Sequence, residues 1–216
     1  MNKPPEKPVE RRHKGAIRRQ NESRILQAAE AVFSRQGFRG ASIGMIAEAA
    51  GVPKPNVYYY FSSKEDLYRK VIEGICGDWL RAAECFDTTE DPAVAILGYV
   101  RAKMDLARKR PDASRIWAIE MARGAPIIRP YLENVVKPWV EGRAAVVEHW
   151  IETGALDPVC PHTLFYMIWA TTQHYADFEA QITAINEGPL DDAAFTRARR
   201  EVERLILSAL NLSPPA

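Results

Sequence analysis

The sequence predicts an all-α protein of about nine helices, in which a small three-helix region precedes a larger helical body. Two observations predict this class. Apolar residues recur at helical spacing along most of the 216 residues, and no alternating strand pattern appears between them. Glycines and prolines separate these periodic stretches where helices end or begin. Because 47% of the residues are hydrophobic and 26% are charged, the composition is that of an ordinary globular protein.

Three short helices are predicted between residues 21 and 61. Gly37 ends the first helix, since glycine adopts the left-handed cap conformation without a steric penalty. Ser42 is placed to cap the second helix, which Gly51 ends, and the third helix follows Pro53. The apolar face of the first helix consists of Ile25, Ala28, Ala29, Val32 and Phe33.

Six further helices are predicted in the body. Two overlapping capping boxes within 62–66 begin the first of them, and prolines begin most of the others. Their predicted ranges are 64–86, 91–108, 111–123, 126–153, 161–185 and 191–210. We therefore divide the chain into a disordered basic tail (1–20), a three-helix domain (21–66) and a helical body (67–216).

The charge is distributed unevenly along the chain, although its net value is only +1. Residues 1–70 contain 14 basic and 7 acidic residues, which is a net charge of +7, whereas residues 71–216 contain 15 and 21, which is −6. Such asymmetry favours a basic end that binds a polyanion and an acidic body with another role. The alternative is a basic tail that only increases solubility.

The sequence also argues against several classes of protein. No apolar run reaches the length of a membrane helix, and the N-terminal residues lack the apolar region of a secretory signal, so we expect a cytoplasmic protein without membrane contact. The three cysteines form no CxxC, which argues against a disulfide framework or a metal site. The four scattered histidines and the missing nucleotide-binding and nucleophile motifs predict no catalytic residues, no cofactor and no enzyme activity.

One spacing indicates a helix-turn-helix. Ala47 is followed by Gly51 four residues later and by Val57 six residues after that. The first position must be small because the second helix crosses it closely. The second position must allow a left-handed turn, and the third must anchor the recognition helix through an apolar side chain.

Residues 42–68, SIGMIAEAAGVPKPNVYYYFSSKEDLY, resemble the DNA-binding signature of the tetracycline-repressor (TetR) family. The signature combines an apolar helix, a Gly-Val turn, a short aromatic-ending recognition helix and a Ser-Lys-Glu segment. The resemblance implies a homodimeric transcription regulator with an effector-binding body. One departure is Pro53, which stands where a Ser or Thr usually opens the recognition helix, so a hydroxyl donor to phosphate is lost.

The resemblance implies that the recognition helix enters the major groove of operator DNA. Exposed side chains of that helix are then placed to reach bases or phosphates. Phosphates are also expected to bind at two helix starts, and two tail arginines to reach the backbone or the minor groove, unless the tail is only a solvated charge run. The candidate DNA-binding residues are Arg18, Arg19, Ser42, Lys54, Pro55, Asn56, Tyr58, Tyr59 and Lys64.

The body contains a helical segment that is unusually polar for its central position, MIWATTQHYADF at 167–178. Trp169, Gln173 and Asp177 lie on one face at i, i+4 and i+8. An aromatic ring beside an amide suits a small, flat, polar ligand. The alternatives stay open that Gln173, Asp177 and His174 cap neighbouring helices or cross a dimer interface, and that the tryptophans are core residues.

A second resemblance bears on the ligand. Residues 114–126 and 167–178 are similar to the C-terminal domain of the pyrimidine-utilisation regulators within this family. The similarity implies an effector such as uracil or thymine, release of operator DNA when it binds, and mainly repression. A hydrophobic, cationic or other aromatic effector, as used by regulators of efflux or catabolic genes, is the alternative. The candidate ligand-binding residues are Trp79, Trp117, Met121, Trp169, Gln173, His174 and Asp177.

The last two predicted long helices, 161–185 and 191–210, are expected to pack against their dimer mates as a four-helix bundle. The operator sequence and the regulated genes are not specified by these patterns, and the number of dimers per operator is left open as well.

Overall fold

The computed structural model describes residues 8–215 of the chain, with side chains from Ile17 onward. Within this range the structure is helical and contains no strand. The chain forms two compact units, with the boundary between Val71 and Ile72. The helices are α1 (Pro8–Gly40), α2 (Ile43–Ala50), α3 (Lys54–Tyr60), α4 (Lys64–Arg81), α5 (Pro92–Lys109), α6 (Pro111–Ala122), α7 (Arg129–Tyr131), α8 (Lys137–Glu152), α9 (Pro161–Asp177), α10 (Glu179–Ile185) and α11 (Asp192–Ala209), with a 3₁₀ helix at Glu84–Asp87 and a π-helical stretch at Leu132–Val136.

The N-terminal unit consists of α1 to α3 and the beginning of α4. Gly37 interrupts α1 with a φ of 65°, at the position where the sequence predicts the first helix to end. The ring of Phe33 meets Tyr68 edge-to-face at 4.9 Å between centroids, which is a favourable aromatic geometry. The fully buried side chains of this unit include Ile25, Phe33, Ile46, Val57 and Leu67.

Helix α1 begins at Pro8, earlier than the predicted start of ordered sequence near Asn21. Residues 8–20 of the predicted disordered tail are thus helical in the structure, and residues 1–7 lie outside the described residues. The physical reason is composition. After Pro8 the segment VERRHKGAIRRQ contains mainly residues of good helix propensity, and Gly15 is the one strong exception. The prolines that suggested disorder end at the helix start, where proline is tolerated. The division of the chain into tail, three-helix domain and body stays a prediction.

The C-terminal unit is built around α5, which packs against α9, α11 and the 3₁₀ helix. Asp91 caps α5 by accepting hydrogen bonds from the N–H groups of Ala93 at 2.8 Å and Val94 at 3.3 Å. Aromatic side chains dominate the core of this unit. Phe165 on α9 is fully buried and contacts the rings of Phe86 and Tyr99.

Helix α4 ends earlier than predicted. Instead of continuing to Phe86, it stops at Arg81, and a 3₁₀ helix follows at Glu84–Asp87. This change of direction buries both Ala83 and Phe86 in the core of the C-terminal unit.

The predicted helix at 161–185 is divided at Phe178, which has non-helical dihedral angles. Arg115 from α6 reaches both sides of this break. Its Nε donates to the carbonyl of Ala176 at 3.3 Å and its guanidinium pairs with Glu179. The break therefore coincides with a tertiary contact, which local sequence does not reveal.

The predicted segment 126–153 contains α7, the π-helical stretch and α8 in direct succession. Pro138 lacks the N–H that would bond to the carbonyl of Asn134, so the regular helical ladder is interrupted there. The side-chain amide of Asn134 donates to the carbonyl of Pro130 at 2.8 Å within the same stretch.

The three cysteines differ in their surroundings. Cys76 on α4 is buried, Cys85 is half-buried, and Cys160 immediately before α9 is exposed. Among the described residues, no helix is both long and apolar enough to span a membrane.

Candidate functional site

The turn between α2 and α3 has the geometry that the spacing of Ala47, Gly51 and Val57 predicts. Gly51 adopts φ 62° and ψ 38°, which is the left-handed region, and its N–H donates to the carbonyl of Glu48 at 3.0 Å. The N–H of Val52 donates to the carbonyl of Ala47 at 3.0 Å. Ala47 and Val57 are both buried. The two helices are therefore fixed by a small residue, a glycine turn and an apolar anchor.

A side chain from α1 stabilises the end of α2. The guanidinium of Arg24 donates to the carbonyl of Ala50 at 2.8 Å. A Cβ placed on Gly51 would lie 3.3 Å from this guanidinium. The positive φ therefore favours glycine, and a larger residue would also require a small shift of Arg24.

Helix α3 presents a polar and aromatic surface to solvent. Tyr58 is 50% exposed and Tyr59 is 69% exposed, and the guanidinium of Arg18 lies 5.7 Å from the centre of the Tyr59 ring. Val57 and Phe61 are buried beneath, and Tyr60 is half-buried. The α3 surface, as we call this face, consists of Arg18, Lys54, Pro55, Asn56, Tyr58 and Tyr59, all of them exposed.

The remaining candidate DNA-binding residues are less uniform. Ser42 is exposed and caps α2, because its Oγ accepts from the N–H of Met45 at 3.2 Å. Arg19 is exposed on α1. Lys64 is half-buried, and its ammonium donates to the carbonyls of Phe38 at 2.8 Å and Ala41 at 2.9 Å. Since an ammonium has three hydrogens, one remains for a phosphate, and the larger role of Lys64 here is structural.

A second site is a cavity of about 40 Å³ inside the C-terminal unit. Helices α4, α5, α6, α8 and α9 and the π-helical stretch each contribute to its wall. Most of the wall is aromatic or apolar, with two nitrogen-bearing polar side chains. It is lined by Cys76, Trp79, Leu80, Tyr99, Lys103, Trp117, Val136, Trp139, Trp169 and Gln173. We refer to it as the tryptophan cavity.

The aromatic side chains of the tryptophan cavity are held by specific contacts. Trp79 and Trp117 pack edge-to-face, with centroids 5.3 Å apart and an angle of 88°. The indole Nε1 of Trp169 donates to the hydroxyl of Tyr99 at 2.7 Å. Because this hydrogen bond fixes one edge of Trp169, the ring has a defined orientation beside Gln173.

The amine of Lys103 on α5 lies in the tryptophan cavity. Only 2% of this residue is exposed, and Nζ sits 4.0 Å from the centre of the Trp79 ring. Burial lowers the pKa of Lys103 to about 7, and the nearby Cys76 and Asp177 oppose that shift only in part. Burial also raises the pKa of the Cys76 thiol to about 12, so the thiol is neutral.

Asp177 lies near the cavity but does not line it. Burial raises the pKa of its carboxyl group, against the opposing influence of the Ser114 hydroxyl and of Lys103. Oδ1 of Asp177 and Oγ of Ser114 are both buried without a hydrogen bond of good geometry. Ser114 is thus close enough to favour the charged carboxylate but is not well aligned with it.

The structure brings together four of the seven predicted ligand-binding residues. Trp79, Trp117, Trp169 and Gln173 line one cavity, although they come from three separate helices. Met121, His174 and Asp177 do not line it, and their assignment as ligand contacts stays a prediction.

His174 is exposed and stacks on Phe178 at 4.9 Å, on another face of α9. It lines a different, open cavity beside α10 and α11. The step of one residue from Gln173 turns the side chain by about 100° around the helix, which explains why the two point to different places. Met121 is half-buried on α6 but lies one helical turn beyond Trp117.

Sequence reasoning missed Lys103, Tyr99, Cys76 and Trp139. The sequence contains a pattern that could have identified Lys103, because this residue lies on the buried apolar face of α5. Ile96, Tyr99 and Val100 precede it at helical spacing, and Ala107 follows four residues later, all of them buried. A lysine at such a position is unusual, since its amine must lose its water shell.

Residues 25–71 match the family described as "Bacterial regulatory proteins, tetR family", and residues 72–213 match the "YcdC-like protein, C-terminal region". Over 187 residues the chain is 40% identical to the HTH-type transcriptional regulator RutR of Escherichia coli, covering 86% of this chain and 88% of RutR.

Solved structures show the same fold. A Streptomyces coelicolor protein, described as a transcriptional regulator, superposes with a TM-score of 0.72 at 26% identity, covering 90% of this chain and 99% of that one. The regulator FadR of Bacillus subtilis, solved with stearoyl-CoA, has a TM-score of 0.66 at 17% identity, covering 88% and 99%. From the helix-turn-helix geometry, the two family matches and the similarity to RutR, we conclude that the chain belongs to the TetR family of transcriptional regulators.

Proposed function

We propose that this regulator binds operator DNA through the α3 surface and releases it when a pyrimidine, such as uracil or thymine, binds in the tryptophan cavity. The observation that carries the proposal is the cavity itself, which Trp79 and Trp169 line together with Gln173. The resemblance of residues 114–126 and 167–178 to the pyrimidine-utilisation regulators supports the same ligand class.

A flat, polar ring matches this lining better than a flexible chain does. An indole face stacks on a planar ring, while an amide both donates and accepts hydrogen bonds, as the alternating N–H and C=O groups of a pyrimidine require. The fixed orientation of Trp169, given by its bond to Tyr99, favours one position of the ring.

DNA binding is supported by charge and exposure together. Helix α3, which follows the turn at Gly51, exposes Lys54, Asn56, Tyr58 and Tyr59. The net charge of +7 over residues 1–70 attracts the phosphate backbone. Lys54 and Arg18 provide charge near phosphates, and Asn56 has the two-sided hydrogen bonding that suits adenine.

Release is proposed to act through α4 and a homodimer. A dimer binds two half-sites about 34–36 Å apart, so a ligand that favours another separation shifts the population away from DNA. Helix α4 begins at Lys64 in the N-terminal unit and carries Trp79 of the cavity. The dimer contact is expected on α9 to α11, where exposed apolar side chains are Tyr166, Met167, Phe178, Ile185 and Leu205.

The ligand is tested by calorimetric titration of the purified protein with uracil and thymine, using cytosine and a hydrophobic cation as controls. We expect saturable binding of uracil or thymine that is lost in Trp169→Ala and Gln173→Ala. The matched control is Lys109→Met, an exposed change on α5 that should leave binding unchanged. Heat from the cation and none from any pyrimidine would favour the alternative effector class instead.

DNA binding is tested with duplexes selected from a random pool by the protein. Tyr59→Ala and Lys54→Ala should both weaken DNA binding and leave uracil binding unchanged. The salt dependence of DNA binding should decrease more in Lys54→Ala, because that variant loses a positive charge near a phosphate. Adding uracil to the wild-type complex should release the DNA. If selected duplexes stay bound at saturating uracil and thymine, the release mechanism is wrong even where the DNA interface is right.

A further inference from the structure

Lys103 is a buried amine that no carboxylate neutralises. Among the described residues its ammonium forms no ion pair, and its close contact is the Trp79 ring at 4.0 Å. Asp177 influences it electrostatically but does not approach to ion-pair distance. The cavity also contains the thiol of Cys76, the amide of Gln173 and the hydroxyl of Tyr99, which accepts from Trp169.

Such an arrangement costs folding free energy. Transfer of an amine from water to an aromatic cavity removes its water hydrogen bonds, and a single cation–π contact replaces only part of them. Natural proteins keep unfavourable buried groups, such as an amine without an ionic partner, mainly at functional sites. The position of Nζ in the wall of the tryptophan cavity indicates that a ligand provides the missing acceptor.

We infer that Lys103 donates a hydrogen bond to a ring carbonyl of the ligand, at the position where cytosine carries an amino group, and so makes the cavity select dioxo pyrimidines over aminopyrimidines. This inference rests on the proposed pyrimidine-sensing function and names the residue that discriminates within it.

The chemistry of the two polar side chains leads to this assignment. The amide of Gln173 has one donor end and one acceptor end, so by turning over it can serve either a carbonyl or an amino group. In its charged form, which contact with a ligand carbonyl favours, Lys103 has donors only. A carbonyl satisfies it, whereas an amino group would place two donors against each other and leave both unsatisfied. Discrimination therefore comes from Lys103, and Gln173 contributes affinity.

The experiment compares uracil and cytosine binding in the wild type and in Lys103→Met and Lys103→Gln, by calorimetry and by displacement of bound uracil. Methionine keeps the length and apolar stem of lysine, so the cavity wall is preserved. We expect Lys103→Met to bind uracil about 10- to 100-fold more weakly, as for loss of a hydrogen bond from a charged donor. Lys103→Gln should gain cytosine binding, since its amide can accept from the amino group. Lys109→Met on the same helix is the matched control and should bind as the wild type does.

A purely structural lysine would behave differently. If Lys103 only stabilises the fold through Trp79, Lys103→Met should lower the melting temperature and leave the uracil-to-cytosine ratio unchanged. The inference expects a higher melting temperature together with a reduced ratio.

A second measurement needs no variant. In the wild type, 2-pyrimidinone, which has hydrogen in place of the C4 carbonyl and no hydrogen on N3, should bind more weakly than uracil by at least the factor that Lys103→Met removes. Equal binding of the two rings would overturn the inference. Wild-type protein that binds no pyrimidine at all would instead contradict the proposed function, so the two failures are distinct.

Discussion

In the N-terminal unit, the residues proposed to contact DNA come mostly from one stretch, Ser42 to Lys64, and most are exposed. In the C-terminal unit, the residues of the tryptophan cavity are spread from Cys76 to Gln173 and are mostly covered. The first site depends on short helices with local start and stop signals. The second depends on how long helices pack. The difference suggests that changes to single surface side chains alter DNA affinity with little effect on folding, whereas changes at the ligand site alter stability and binding together.

The largest effect on stability is expected when one buried aromatic ring is removed from each unit. Phe33 is 1% exposed and Phe165 is 0% exposed, and replacing either by alanine should cost about 3–5 kcal/mol of folding free energy. All five tryptophans belong to the C-terminal unit. Tryptophan fluorescence therefore reports the unfolding of that unit, while hydrogen exchange of residues 18–71 reports the other.

We expect Phe33→Ala to abolish DNA binding and amide protection in the N-terminal unit while the fluorescence transition and uracil binding persist. Phe165→Ala should lower the fluorescence midpoint. The exposed aromatics Tyr58 and Tyr166 provide controls, since their alanine variants should leave both stabilities nearly unchanged. If both probes respond equally to both phenylalanine changes, the two units fold as one cooperative structure and the comparison fails.

A second test uses the pH dependence of stability, which Lys103 should dominate near neutrality. Its folded pKa of about 7 lies below its ordinary value of 10.5. Between these values the unfolded chain binds a proton that the folded chain has released, so stability rises with pH. Lys103→Met lacks this term, and its gain in melting temperature over the wild type should be largest near pH 7 and shrink as pH increases.

The measurement should be made between about pH 6.5 and 8.5. Above this range the ionisation of Cys76 in the unfolded chain makes stability fall as pH rises. The folded thiol, with its pKa raised to about 12, stays neutral while the unfolded thiol ionises near 9.0. A constant difference between variant and wild type across the window would show that Lys103 is not desolvated as described. The other titratable groups around Lys103 and Cys76, common to both proteins, are Tyr99, Tyr131 and Asp177, with Glu73, Arg81, Arg115 and His174 acting on them.

The smallest expected effects come from the helix caps, one in each unit. Ser42→Ala and Asp91→Ala should each cost about 1 kcal/mol, because each removes an acceptor for the free N–H groups at a helix start. The corresponding glycine variants should cost only a few tenths. Chemical denaturation followed by fluorescence measures the Asp91 pair, and hydrogen exchange of α2 measures the Ser42 pair. If Ser42→Gly weakens DNA binding more than its small loss of folding stability explains, Ser42 contacts a phosphate. That result would sharpen the comparison between the two units.

The sequence was informative where signals are local. The turn at Gly51, the cap at Ser42 and the buried anchor Val57 follow from residue type and spacing, and each is present in the structure. Helix ends that depend on tertiary contacts were missed, as at Phe178, where Arg115 from another helix reaches across the break. At the N-terminus the prolines predict a disordered tail, whereas the structure begins α1 at Pro8.

The cavity was predicted only in part for the same reason. Periodicity places Trp169, Gln173 and Asp177 on one face of α9, but it does not say how far along that face the cavity extends. The structure ends it before Asp177. Lys103 lies about 70 residues before Gln173 in sequence, so its presence in the same wall depends on the packing of α5 against α9.

The unequal burial of the cysteines has a consequence for chemical labelling. Thiolates, not thiols, react with maleimides, so reactivity follows exposure and acidity. Cys160 is exposed, and hydrogen bonds around Thr163 lower its pKa, whereas Cys76 is buried and neutral. A spin or fluorescent probe should therefore attach first at Cys160, immediately before α9. In a dimer that carries one probe on each chain, the distance between probes would follow the separation of these helix starts as ligand or DNA is added.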